Sequence, residues 1–187
     1  MMRFGSWLSA GIAPVLLAGC ASAPTHLLTL DAVAPASGAI RADYRGLPIA
    51  IPAVHVPAAL DRTEFVTQPT AGEAQIDDYA HWAAPLGLLA REALVRDLTA
   101  RLPAGAVLPP GSAGKPGATR TIDVTILALG TQPGSAFMQV AYRRLPDGPV
   151  RQVSLSVPAP GTTPAATAEA FARLTGQLAD RLAADLG

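Results

Sequence analysis

The chain has 187 residues, with 14 lysines and arginines against 14 aspartates and glutamates, so its formal net charge is zero. That balance, unbroken by any local basic stripe, leaves no field to gather a polyanion, which excludes nucleic acid as a partner class. Half of the residues are apolar, but alanine, 17 glycines and 18 prolines inflate that share and the mean hydropathy without supplying large core side chains or indicating membrane burial.

The first element is a secretory signal: a positive start at Arg3, an apolar core over residues 7–17, and the small residues Ala18 and Gly19 before the break. The core is shorter than the roughly 20 residues a spanning helix needs, and no later stretch reaches that length without a charge or a proline. Cys20 is the single cysteine, so no intrachain disulfide can form. An ordinary cleavage site is available at Ala21-Ser22-Ala23, but Leu17-Ala18-Gly19-Cys20 resembles the bacterial lipobox.

The lipobox resemblance implies a diacylglycerol on the Cys20 sulfur, cleavage before that residue and an N-acyl chain on its new amino group. One acyl chain holds a protein only marginally, and a second or third makes release slow. Ala21 follows the cysteine, where aspartate is the retention signal for the inner membrane in enteric-type bacteria. By that analogy the periplasmic face of the outer membrane is the expected site, with the inner membrane second. Removing residues 1–19 from 187 leaves 168, enough chain for one domain with its own core. The expected organisation is a signal over 1–19, an acylated tether over 20–25 and a single domain over 26–187.

Along that domain, residues 26–30 read as a first strand, followed by a small-residue stretch over 32–46. Residues 49–57 are β-branched and apolar, but Pro52 and Pro57 remove ladder donors and place this strand at an edge or bulge. A turn over 58–61 leads to a short strand over 63–67. Asp77 and Asp78 read as a solvated turn before a helix.

Leu86, Leu89, Ala90, Ala93, Leu94 and Leu98 recur at helical spacing over 85–102, with Arg91, Glu92, Arg96 and Asp97 assigned to the other side. Pro103 and Gly105 end that helix. Residues 108–119 have no periodicity and read as a surface loop. Strands over 121–129, 137–144 and 151–157, joined by two proline and glycine turns, predict an antiparallel meander. In the last of these Val153, Leu155 and Val157 alternate with Gln152, Ser154 and Ser156, so one face is buried. Thr163 caps and Pro164 opens a closing helix whose stripe of Phe171, Leu174, Leu178, Leu182 and Leu186 must lie on the sheet. The expected class is α/β, helices packed on a mixed sheet.

Catalytic and metal patterns are missing from the sequence. His26, His55 and His81 stand far apart without a Cys-x-x-Cys, His-x-x-x-His or Glu-x-x-His companion, so no metal or other cofactor is expected. There is no Gly-x-Ser-x-Gly elbow, and Gly114-Lys115 is followed by Pro116 where a phosphate loop needs Ser or Thr. No catalytic residue is therefore assigned, and an envelope hydrolase has no nucleophile and base to work with. Asp61 and Arg62 at the turn could pair to hold two strands or contact a partner, and the structural role is preferred. Tyr79 and Trp82 could form a recognition patch, but packing under a sheet edge is preferred.

Ile49-Ala50-Ile51, Val54-x-Val56-Pro57, Leu60-Asp61-Arg62, Phe65-Val66 and Tyr79-x-x-Trp82-x-x-Pro85-Leu86 together resemble, in order and spacing, the ABC-type transport auxiliary lipoprotein (PqiC-like) family. The resemblance runs from about residue 26 to 186, is most specific over 47–102, and agrees with the lipobox. It implies an α/β domain and a non-catalytic auxiliary subunit of a transporter built on an MCE-domain (mammalian-cell-entry) protein with its ABC permease and ATPase. Such systems move lipids between the two envelope membranes. Asp61, Arg62, Tyr79 and Trp82 are the matching positions at which a partner contact would fall. A lipid carrier that holds acyl chains itself, and a lipoprotein cofactor of another envelope assembly system, are the alternatives; self-association into a ring is open.

Overall fold

The computed structural model describes residues 24–67, 73–112, 114–159, 161 and 163–186. The expected signal, the expected lipobox Leu17, Ala18, Gly19 and Cys20, and the expected tether up to residue 23 lie outside the described residues. In chain order the elements are β1 (His26–Leu28), β2 (Ile49–Ala50), β3 (Val54–His55), β4 (Glu64–Thr67) and β5 (Gln75–Trp82). They continue with α1 (Leu86–Thr99), β6 (Arg120–Gln132), β7 (Ser135–Leu145), β8 (Arg151–Pro158) and α2 (Pro164–Leu186).

The fold is α/β, with two mixed sheets where the sequence predicts one. The smaller sheet runs β1-β5-β4, with β1 parallel and β4 antiparallel to β5. The larger is the predicted meander β6-β7-β8, extended at its β6 edge by β2 and β3 running parallel to β6. Pro52 explains why β2 and β3 are separate: without an amide hydrogen it interrupts the ladder in the middle of an otherwise suitable stretch. Gly134 makes the tight connection between β6 and β7 at φ +77°, a backbone region that side chains with a Cβ rarely adopt.

In the meander the apolar faces coincide. Val140 stands opposite Val153, Met138 opposite Leu155 and Ala136 opposite Val157, and α2 covers this face while Gln152, Ser154 and Ser156 stay wet. Helix α2 opens as predicted: the Thr163 hydroxyl oxygen accepts the Ala166 amide at 3.2 Å, and Pro164 takes the first helical position. Phe171, Leu174, Leu178, Leu182 and Leu186 are all buried, each removing a side chain worth about 1.5–3 kcal/mol of transfer free energy from water.

Three local expectations are corrected. The stretch around Asp77 and Asp78 is strand β5, not a turn. Asp77 Oδ1 does accept the amides of Tyr79 at 2.8 Å and Ala80 at 2.9 Å, so the turn chemistry is real but sits inside an irregular strand. Helix α1 stops at Thr99, three residues before the predicted end. Asp97, assigned to the wet face of α1, is buried, as is the neighbouring Arg101.

Candidate functional site

Asp61 and Arg62 do not pair with each other. The turn that carries them closes through the amides of Leu60 and Asp61 on the Pro57 carbonyl. From there Asp61 Oδ1 accepts the Gly87 amide at 3.1 Å, while Arg62 Nε donates to Glu64 Oε2 at 2.9 Å. Helix α1 starts at Leu86 behind Pro85, whose side chain cannot cap. Asp61 therefore supplies from a distant loop the anion that the helix N-terminus lacks. The Arg62 guanidinium beside Glu64 holds that carboxyl below the usual glutamate range. The ion pair expected between Asp61 and Arg62 is thus absent: Asp61 serves the start of α1, and Arg62 pairs with Glu64 at the start of β4.

Tyr79 and Trp82 part company because they point to opposite faces of β5. Trp82 is buried, 5.6 Å from the Phe65 ring and stacked at 6.3 Å on Phe171 of α2, which joins the small sheet to the closing helix. Tyr79 is 55% exposed, which overturns the packing expected of it. Phe65, Trp82 and Phe171, with Leu129 and Phe137 at the β6-β7 turn, line a cleft of about 70 Å³. A larger hollow of about 620 Å³, between the segment Leu27–Ala34 and α2, is an open surface groove.

The largest polar construction is one the sequence reading missed. Arg101 has no exposed surface, and its five donors are all directed. Nε donates to Asp180 Oδ1 at 2.5 Å, Nη1 to the carbonyls of Asp97 at 2.7 Å and Val33 at 3.2 Å, and Nη2 to those of Gly176 at 3.1 Å and Ala34 at 3.4 Å. Around it Asp97 Oδ1 accepts the Val33 amide at 3.0 Å, Asp180 Oδ1 the Ala36 amide at 3.3 Å, and the Leu30 carbonyl accepts Arg96 Nη2 at 2.5 Å. The segment 30–36 is thus strapped between α1 and α2. One signal was available: Arg101 lies seven residues after Leu94, two turns on along the buried stripe of α1.

Two carboxyls in the helices are shifted in opposite directions. Burial pushes Asp97 up, against the Val33 amide and the nearby arginines, and its Oδ2 is buried without a hydrogen bond among the described residues. Asp185 is pushed up by burial, but hydrogen bonds from Tyr142 and Arg151 outweigh that and hold it below the usual range. Burial, followed by that bond to Asp185, pushes the Tyr142 phenol up. Among the described residues no three His, Cys, Asp or Glu side chains converge as metal ligands, and no helix is long and apolar enough to cross a membrane.

Residues 30–36 are thus fastened to both helices, and Tyr79 stands exposed on β5. Residues 28–183 match the family model of the ABC-type transport auxiliary lipoprotein component. Two crystal structures share the fold at 17% identity. One is of an uncharacterized protein, with a TM-score of 0.69, covering 88% of this chain and 100% of that one. The other is protein XCC0632 from Xanthomonas campestris, assigned to DUF330, with a TM-score of 0.63 over 86% of this chain and 93% of that one. No protein of curated function matches the sequence. The chain belongs to the ABC-type transport auxiliary lipoprotein family.

Proposed function

We propose, from membership in that family, that this protein is the non-catalytic auxiliary lipoprotein of an MCE-type ABC system that moves lipid between the inner and outer membranes. It is held on the periplasmic face of the outer membrane by acyl chains on Cys20, and docks the MCE-domain protein through its own surface. The observation that carries this reading is the family match over residues 28–183. The lipobox at Leu17-Ala18-Gly19-Cys20 supports it independently. Anchoring raises the local concentration of the domain at one membrane, where a partner reaching across from the other can meet it.

The geometry favours docking over carriage. A pocket that encloses a drug-sized or acyl ligand has a volume of roughly 300 Å³ or more. The aromatic cleft at Phe65, Trp82 and Phe171 holds about 70 Å³, and the larger hollows, about 620 Å³ along α2 and about 440 Å³ beside Ile51 and Leu108, are open to solvent.

Crosslinking in intact cells, affinity capture of the lipidated protein and mass spectrometry of what comes with it test the reading. Capture of an MCE-domain protein, its permease or its ATPase, lost in Cys20→Ala, is expected. Capture of peptidoglycan enzymes or outer-membrane assembly proteins alone overturns it. Radioactive palmitate should label the wild type and not Cys20→Ala.

A further inference from the structure

The outer face of the small sheet carries a patch of exposed apolar side chains beside the cross-strand neighbours Glu64 and His81. Leu28, Ala80 and Trp82 point into the core, so the alternating positions Leu27, Tyr79 and His81 point away from it, Leu27 directly opposite His81. On β4 Phe65 points in, which turns Val66 out; the ladder is irregular between Glu64 and Val66, and beyond that break Ile76 stands opposite Val66 and shares its face. Leu27 is 70% exposed, Tyr79 55% and Ile76 46%, and Leu27 is the most exposed large apolar side chain among the described residues.

We infer that this face, Leu27, Tyr79, Ile76 and Val66, rests on the phospholipid surface to which the protein is anchored. The inference rests on acylation of Cys20, and the argument for a lipid occupant is the length of the leash. Leu27 is seven residues from Cys20, which at full extension span at most about 25 Å, whatever the path. A domain of this size is roughly 40 Å across, so the leash cannot bring every face to the bilayer equally. The small sheet, which begins where the leash ends, is held nearest to it. The strap at residues 30–36 keeps that sheet from swinging free of the helices, since Arg101, Asp97 and Asp180 fix the chain immediately after β1.

The charge of the face selects the kind of surface. Glu64 is paired with Arg62, and Asp77 accepts two backbone amides. No cluster of lysine or arginine is present there to draw anionic headgroups. The contact is apolar with an interfacial aromatic, suited to a zwitterionic phospholipid surface and insensitive to ionic strength.

After signal removal Trp82 is the remaining tryptophan, and it is buried. The test uses the lipidated full chain in phosphatidylcholine vesicles containing brominated acyl chains, comparing Tyr79→Trp with wild type. Tyr79→Trp should lose emission that the wild type keeps, at low and at high salt alike, and Leu27→Asp in the same chain should restore it. If the protein floats with the vesicles but Tyr79→Trp is quenched no more than wild type, the contact is overturned while anchoring stands. A second copy or a protein partner seated on the face would give that result. Failure to float overturns acyl anchoring and this inference together.

Discussion

Arg101 and Asp180 lie 79 positions apart and meet at 2.5 Å, with the guanidinium wholly buried and the carboxylate partly open to water. The pair joins the end of α1 to α2 and, through the remaining donors of the same guanidinium, to Val33 and Ala34. A buried cation is tolerated when paired and fully hydrogen-bonded, and its removal leaves carbonyls and a carboxylate without their donors.

Arg101→Ala should therefore cost about 3–5 kcal/mol, read as a shift in the urea midpoint. Arg101→Lys should recover little, because an ammonium has three donors and no planar fork to reach five acceptors. Hydrogen exchange at the Val33 and Ala36 amides should quicken in both variants. Unchanged exchange there would show that the segment 30–36 is held by something other than the arginine.

Gly176 lies on α2 under Val33, and a Cβ placed on it would stand 2.6 Å from Val33 Cγ1. In a free helix Gly→Ala stabilises by about 1 kcal/mol. Here Gly176→Ala should instead destabilise by about 1–3 kcal/mol through overpacking. In a Val33→Ala background the penalty should shrink without vanishing, because the Cβ at 33 would still stand 2.7 Å from the new methyl, and a double-mutant cycle from denaturation curves checks it.

Asp61→Ala should cost about 1 kcal/mol by leaving the Gly87 amide and the positive end of α1 without their acceptor. Asp61→Asn keeps an oxygen in place and should lose less. Equal losses for the two in urea denaturation would mean that the charge, and not the hydrogen bond, matters.

Asp97 and Asp185 should give stability opposite dependences on pH. Because burial raises Asp97 in the folded state, ionising it opposes folding; the wild type should lose stability relative to Asp97→Asn as pH rises above the ordinary aspartate value. Asp185 is lowered when folded, so its contribution is present above the ordinary value and is lost as pH falls below it. Chemical denaturation of wild type, Asp97→Asn and Asp185→Asn across that range separates the two slopes.

Trp82→Ala should cost about 3–5 kcal/mol by opening a cavity among Phe65, Phe171 and Leu86. Tyr79→Ala should stay within about 0.5 kcal/mol of wild type, because its ring is outside the core. A large loss for Tyr79→Ala in the same denaturation assay would return it to a packing role.

Local chemistry sufficed for much of this protein. The helix stripes and the meander follow from the periods 3.6 and 2, and Thr163-Pro164 is a complete helix start in two residues. The α/β class and the family were legible for the same reason, as ordered local patterns along the chain. What failed locally was decided by contacts across the fold. Strand β5 hid behind the turn chemistry of Asp77 because its identity comes from pairing with β1 and β4, and its alternation is what sends Trp82 inward and Tyr79 out. Asp97 reads as a solvated charge, and Arg101 draws no notice, because nothing near them in sequence reveals that the Val33 amide arrives to donate to the one and Asp180 to accept from the other. Burial of a charge depends on partners distant along the chain, and only the packed structure brings those partners within hydrogen-bond reach.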